Sequence, residues 1–217
     1  MNVMFPGLDV SRVAALADEP LDWRYKGIPS SWWGHTPAQV CAATPRPLTD
    51  GGVGPLCVLG DSALTHNIAT MAAWCRERGV ELAPHGKTHM APQLLARQLD
   101  AGACGVTVAT ISQLRVYRAF GVNSVILANE LVDDAGLRWL AAELDAHPEF
   151  ELVCWVDSER GVSLMTSALT AAGAQRPVDV CVEVGVPGGR TGCRGQVAVD
   201  EVARAAAASP RLRLVGI

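Results

Sequence analysis

From Val80 to Ile217 the chain repeats one unit, a short continuous apolar run followed by a stretch with helical spacing. The runs are "VELAPHG", "CGVTVAT", "SVILANEL", "FELVCWVDS", "VDVCVEVG" and "LRLVGI". They do not alternate apolar with polar residues, which predicts parallel strands buried on both faces. The six runs lie about 20 to 30 residues apart, each but the last followed by a helical stretch. Strict β-α alternation of this kind predicts a parallel α/β fold. Upstream, "PLCVLG" reads as one more short strand, leading into a helix over "DSALTHNIATMAAWCRERG" with Ser62 as N-cap and Gly79 as its stop.

Two parallel architectures compete, the open doubly wound sheet and the (β/α)8 barrel. A nucleotide-binding doubly wound fold usually carries GxGxxG after its first strand, and none is present. The Gly-rich stretch "EVGVPGGRTGCRG" fits neither that pattern nor GxxxxGK[ST]. Polar residues gather instead at the ends of several strands: His85 and Lys87, Thr107 and Thr110, Asn129 and Glu130, Asp157, Glu183 and Arg190. A site spread over many strand ends is how barrels carry chemistry. The expected fold is therefore α/β, a partial (β/α)8 TIM-type barrel of about six of the eight βα units. "LRLVGI" stops inside an apparent strand, so the chain is expected to be either a fragment of a longer protein or an open, truncated barrel. The barrel is assigned to 55–217 and an irregular extension with a linker to 1–54. That extension has a short helix at "DVSRVAALAD", a loop holding Trp23, Trp32 and Trp33, and a helix capped by Thr36 with Pro37 in its first turn. It reads as a structural clasp over the barrel, with a functional lid as the alternative.

Composition excludes several classes. A net charge of −4 supplies no basic field for nucleic acid or an anionic membrane surface. No run approaches the roughly 20 apolar residues of a membrane span, and no basic head precedes an apolar stretch at the start. Seven scattered cysteines without a CxxC pair point to reduced thiols in a cytoplasmic protein.

The densest chemistry lies in "ELAPHGKTHMAP". A lysine at the end of a buried strand is expected to be partly desolvated, and a neutral amine can attack an aldehyde to form a Schiff base. The bland alternative for Lys87 is a solvated loop lysine. Strand alternation would place His85 on the same side, where it either stacks on a planar ring or sits as a hydrogen-bonded core histidine. His85 and His89 do not form a metal pair on this reading, since Lys87 intervenes and HExxH is absent. No metal ligands are assigned. In "GVPGGRTG" the glycines let the backbone approach a bound molecule, and Arg190 offers a cationic fork to a phenolate, carboxylate or phosphate. The alternative is a turn with a surface arginine. Asn129 and Glu130 either face the barrel mouth or cap the next helix.

"APHGKTHMAPQLLARQLDAGACGVTVAT" resembles the first barrel strand and following unit of pyridoxal-phosphate enzymes of the alanine-racemase-like class. Within that class it is similar to the D-serine dehydratase and D-threonine aldolase branch. "KGIPSSWWG", "VILANELVD", "CWVDS" and "PGGRTGCR" are similar to a bacterial subgroup of amino acid deaminases. Met90 stands where that branch usually has a basic residue. The resemblance implies a lyase acting on small hydroxy D-amino acids, as a deaminase or aldolase, with pyridoxal 5'-phosphate on Lys87. His85 would lie near the cofactor ring, Arg190 near its oxygen, and Asn129 and Thr107 in the cofactor site. It also implies two further barrel strands, a C-terminal β domain through which alone a divalent metal would be bound, and a homodimer of the full-length protein. This chain alone is then expected to be incomplete as a catalyst. An amino acid racemase and a non-catalytic pyridoxal-phosphate-binding barrel remain as alternatives.

Overall fold

The computed structural model of the chain describes residues 7–217, which fall into two compact units. The smaller is Asp9–Arg78 and the larger contains Gly79–Ile217. The helix after "PLCVLG" falls within the smaller compact unit.

The smaller unit holds three α-helices, each traceable to its local sequence. In α1 (Val10–Ala15) the Asp9 carboxylate accepts the Ser11 and Arg12 amides, both at 3.1 Å. Helix α2 (Pro37–Ala42) opens with a reciprocal capping box between Thr36 and Gln39 and with Pro37 in its first turn, as expected. Helix α3 (Asp61–Arg78) begins at Asp61, so Ser62 lies inside it and is not its N-cap. Gly79 follows it at φ +60°, the expected stop. "PLCVLG" is not a strand: residues 55–60 form no ladder, and Val58 and Leu59 are exposed. Among the described residues no strand pairs with it, and a lone extended segment has no net stability in water.

The larger unit is the β-α repeat. Its elements are α4 (Pro92–Asp100), β1 (Val106–Val108), α5 (Ile111–Ala119), β2 (Ser124–Glu130), α6 (Asp134–Ala146), β3 (Glu151–Val156) and α7 (Glu159–Ala171). They continue with β4 (Val178–Val182), β5 (Val184–Gly185), β6 (Cys193–Arg194), α8 (Gln196–Ala208) and β7 (Leu212–Gly216). The main sheet is wholly parallel in the order β1-β2-β3-β4-β7. Each strand lies beside its predecessor in the repeat, with no reversal of order, which is barrel winding and not doubly wound topology. Five of the six expected strands of the repeat form this sheet. The first, "VELAPHG", does not: it is extended and joins β1 through a single bridge, His85 to Thr107. Pro84 has no N–H to donate, so the ladder cannot run through it. The segment is held by Leu82 O from the Cys104 amide (2.9 Å), Pro84 O from the Thr107 amide (2.8 Å) and the Gly86 amide to Thr107 O (2.8 Å).

Burial on both faces holds for β1 alone. Strands β3 and β4 alternate fully and partly buried positions. The fully buried face (Leu152, Cys154, Val156, Val178, Val180, Val182) packs on the helices through Leu137, Leu140, Met165, Leu169 and Val202. Each such fully buried aliphatic side chain contributes roughly 1.5–3 kcal/mol. The other face carries Ile126, Val153, Trp155, Cys181 and the Asp179–Arg213 ion pair, two bonds of 2.6 Å each. Among the described residues the five strands form an open sheet and not a closed ring. No helix of the described residues is long and apolar enough to cross a membrane.

Candidate active site at the strand ends

Side-chain caps fix the points where strands give way to helices. Thr110 accepts the Gln113 amide (3.3 Å), Asp133 the Gly136 amide (2.6 Å) and Ser158 the Gly161 amide (3.2 Å). Residues just before these caps are therefore delivered to the C-terminal edge of the sheet.

Lys87 lies in a turn immediately beyond the His85 bridge, closed by the Met90 amide on Gly86 O at 2.9 Å. The turn is pinned from below. The fully buried Tyr117 donates its hydroxyl to Gly86 O at 2.8 Å. A Cβ on residue 86 would fall 2.4 Å from that hydroxyl oxygen and 2.7 Å from Val106 Cγ2, so only glycine lets the chain pass there. Burial pushes the Tyr117 hydroxyl up to about 12, so it stays a donor. The expected desolvation of Lys87 is not met: its side chain is exposed, as is that of His85. Because Lys87 is in a turn, strand alternation does not govern its direction. His89, two residues on, is partly buried, and burial lowers its pKa. Its Nδ1 accepts the Ala91 amide (3.0 Å), which in the neutral ring leaves the proton on Nε2, a buried donor with no partner among the described residues.

Thr107 is buried and its hydroxyl donates to Ala83 O at 2.6 Å, tying the segment that carries His85 to β1. Asn129 donates to Ala109 O at 3.0 Å and lines a cleft of about 260 Å³ with Thr110, Ser112, Glu130 and Asp133. Lys87 and Arg190 do not line that cleft. Arg190 sits on the loop between β5 and β6, exposed and without a hydrogen bond among the described residues. A larger groove of about 390 Å³ on the smaller unit is lined by a single helix face (His66, Asn67, Thr70, Met71, Trp74) and gathers none of the predicted groups.

Three carboxylates that sequence reasoning saw only as separate strand-end residues come together. Oxygens of Glu130, Asp157 and Glu183 all lie within 4.8 Å of one another. A register shift after Leu127 sets Glu130 level with Trp155, and Asp157 and Glu183 follow β3 and β4 on that same face. Glu183 Oε1 accepts the Thr191 hydroxyl at 2.7 Å; with both carboxyls ionised, Glu183 Oε2 and Glu130 Oε1 are buried and find no donor among the described residues, and a proton on Glu130 supplies one. Burial pushes Glu130 up to about 7, helped by its hydrogen bond to Glu183 and by the charges of Asp157 and Glu183. Near neutral pH the cluster can therefore hold and release a proton. The buried Cys193 thiol donates to Asp157 O at 3.1 Å, and burial raises its pKa.

Comparison with known proteins fits this geometry. Residues 61–217 match the family described as alanine racemase, N-terminal domain. A D-threonine aldolase of Arthrobacter sp. is 33% identical over 163 residues, which is 75% of this chain and 42% of that protein. A 3-hydroxy-D-aspartate aldolase of Paracoccus denitrificans (strain Pd 1222) is 29% identical over 164 residues, 75% of this chain and 41% of that protein. The crystal structure of D-threonine aldolase from Filomicrobium marinum superposes with a TM-score of 0.68 at 32% identity, covering 76% of this chain and 43% of that one. The chain thus spans about two fifths of the length of these relatives. It belongs to the alanine racemase N-terminal domain family, the pyridoxal-phosphate barrel class that its lysine motif resembles.

Proposed function

We propose that this chain carries the cofactor-binding part of a pyridoxal-phosphate lyase that acts on small hydroxy D-amino acids. The observation that carries the reading is the amine of Lys87, presented on a turn that Gly86 and Tyr117 hold rigid at the C-terminal edge of a family-matched parallel sheet. The residues present fit the cofactor chemically. An exposed amine suits an aldehyde, the exposed Arg190 suits an anionic oxygen, and the unpartnered His89 Nε2 is a spare donor two residues from Lys87.

Lys87 would hold the cofactor covalently, with His85 and Arg190 beside it and Asn129 at the neighbouring strand end. Thr107 serves indirectly, by holding the His85 segment to β1. Bound pyridoxal phosphate would supply an electron sink for charge developing at the substrate Cα. Once displaced by the substrate amine, Lys87 Nζ would take or return a proton. Glu130 can hold a second proton near neutral pH. A hydroxyl at the substrate Cβ then allows either loss of water or cleavage of Cα–Cβ. The three named relatives, all aldolases, support a lyase more directly than a racemase. The seven free thiols support a reducing, cytoplasmic setting for the whole protein, and the resemblance supports a homodimer.

The test is the absorption spectrum of the purified chain with pyridoxal phosphate, then borohydride reduction and peptide mapping. Label on Lys87 that vanishes in Lys87→Ala is the expected result. Label on another lysine, or label that persists in Lys87→Ala, overturns the assignment.

A further inference from the structure

The loop from Glu183 to Arg194 contains two arginines that the structure treats in opposite ways. Arg190 is exposed and unpaired among the described residues. Arg194 turns back onto its own loop: Nη2 donates to Gly189 O at 2.8 Å, and Nη1 to Thr191 O at 2.5 Å and to Gly192 O. Those three carbonyls bracket Arg190.

The backbone leaves room for this arrangement. Strands β5 and β6 pair Val184 with Cys193 and Gly185 with Arg194. A Cβ on residue 185 would lie 1.9 Å from Arg194 Nη1 and 2.0 Å from Thr191 O. Gly192, at φ +89°, crosses so close that its Cβ would meet Gly185 N at 2.6 Å. On the other side, the Thr191–Glu183 bond of 2.7 Å and the Cys193 amide on Glu183 O at 2.7 Å close the loop base. A stretch with glycines at 188, 189, 192 and 195 would otherwise sample many conformations. A guanidinium fork is suited to gathering several carbonyls at once, as an ammonium is not.

We propose that Arg194 is a positioning residue for Arg190: it latches the 189–192 backbone so that the Arg190 guanidinium is held ready for an anionic oxygen of the bound ligand. This rests on the function proposed above for the identity of that ligand. Ordering the loop in advance removes a cost that binding would otherwise bear. Arg194 itself need not touch the ligand.

The experiment uses the intact chain as Arg194→Gln, Arg194→Lys, Arg190→Ala and the Arg190→Ala/Arg194→Gln pair. Hydrogen exchange without ligand reads the Gly189 and Cys193 amides, and absorbance titration reads pyridoxal phosphate affinity. Arg194→Gln is expected to speed exchange at the two loop amides by about tenfold while β3 and β4 amides stay unchanged. It is expected to weaken pyridoxal phosphate binding by about fivefold, yet to add less than about twofold to the loss in Arg190→Ala. Arg194→Lys, which keeps charge but not the fork, should behave like Arg194→Gln. Unchanged loop exchange refutes the latch. Additive losses of affinity, or full rescue by lysine, refute action through Arg190. Failure of the unmodified chain to bind pyridoxal phosphate refutes the proposed function and the ligand assigned here, while the exchange result still decides the latch.

Discussion

Replacing Glu130 with glutamine is expected to stabilise the chain above neutral pH and to change little near pH 4.5. Glu130 is pushed from an ordinary 4.5 up to about 7, chiefly by burial, then by its bond to Glu183 and the charges of Asp157 and Glu183. The folded state therefore holds the Glu130 proton more tightly than the unfolded chain does. Its contribution is fully present below pH 4.5 and is lost as pH rises through about 7, so stability falls across that window. At about 1.36 kcal/mol per tenfold change in proton affinity, the ceiling is about 3 kcal/mol. The side chain is only partly buried, and solvent screening reduces this to about 1–2 kcal/mol. Glutamine copies the shape of the protonated acid, and its amide can donate to Glu183 as the carboxyl does. Urea denaturation of parent and Glu130→Gln at pH 5 and pH 8 reads the effect. The comparison is a difference between two proteins, so the opposite-signed contribution of His89, whose pKa is lowered, cancels. A gain of about 1–2 kcal/mol at pH 8, or roughly 3–6 °C in Tm, is expected, with near identity at pH 5. A glutamine variant less stable than the parent at pH 8, or a difference that does not vary with pH, would refute the reasoning.

Gly86→Ala should cost about 2–4 kcal/mol, because the new methyl would have to displace the buried Tyr117 ring and Val106; urea denaturation showing a loss under about 0.5 kcal/mol would contradict the close approach. Tyr117→Phe removes the bond to Gly86 O at 2.8 Å and should cost about 1 kcal/mol. It should also speed hydrogen exchange at the Met90 amide, which closes the Lys87 turn, and an unchanged Met90 amide would separate Tyr117 from the presentation of Lys87.

Much of the architecture is legible in the sequence because it is written in local terms. Continuous apolar runs such as "SVILANEL" and "VDVCVEVG" become β2 and β4, and Thr36, Gly79 and the helix-period segments act where their spacing places them. What is not legible depends on partners. "PLCVLG" has strand composition but no ladder, since composition cannot say what lies alongside. "VELAPHG" contains its own obstacle in Pro84, a signal that was present and outweighed by the apolar pattern.

The site divides along the same line. Lys87 stands out because an amine and two histidines around a glycine at a strand end are an unusual local combination, and the turn that presents it is built from neighbours in sequence. The carboxylate cluster has no such signature. Glu130, Asp157 and Glu183 lie more than twenty residues apart, and they meet through parallel registry, with a register shift between Leu127 and Glu130 setting the level of Glu130. Without that shift the pairing of Leu127 with Cys154 would carry Glu130 on to the level of Asp157; with it, Glu130 stays opposite Trp155. The two loop arginines make the point most sharply. Arg190 and Arg194 are four residues apart in one Gly-rich stretch and chemically identical, and of the two only Arg190 is read from the sequence as a candidate for an anion. What separates them is Gly185, whose missing side chain makes room for the Arg194 guanidinium against the loop carbonyls, while Arg190 stays in solvent.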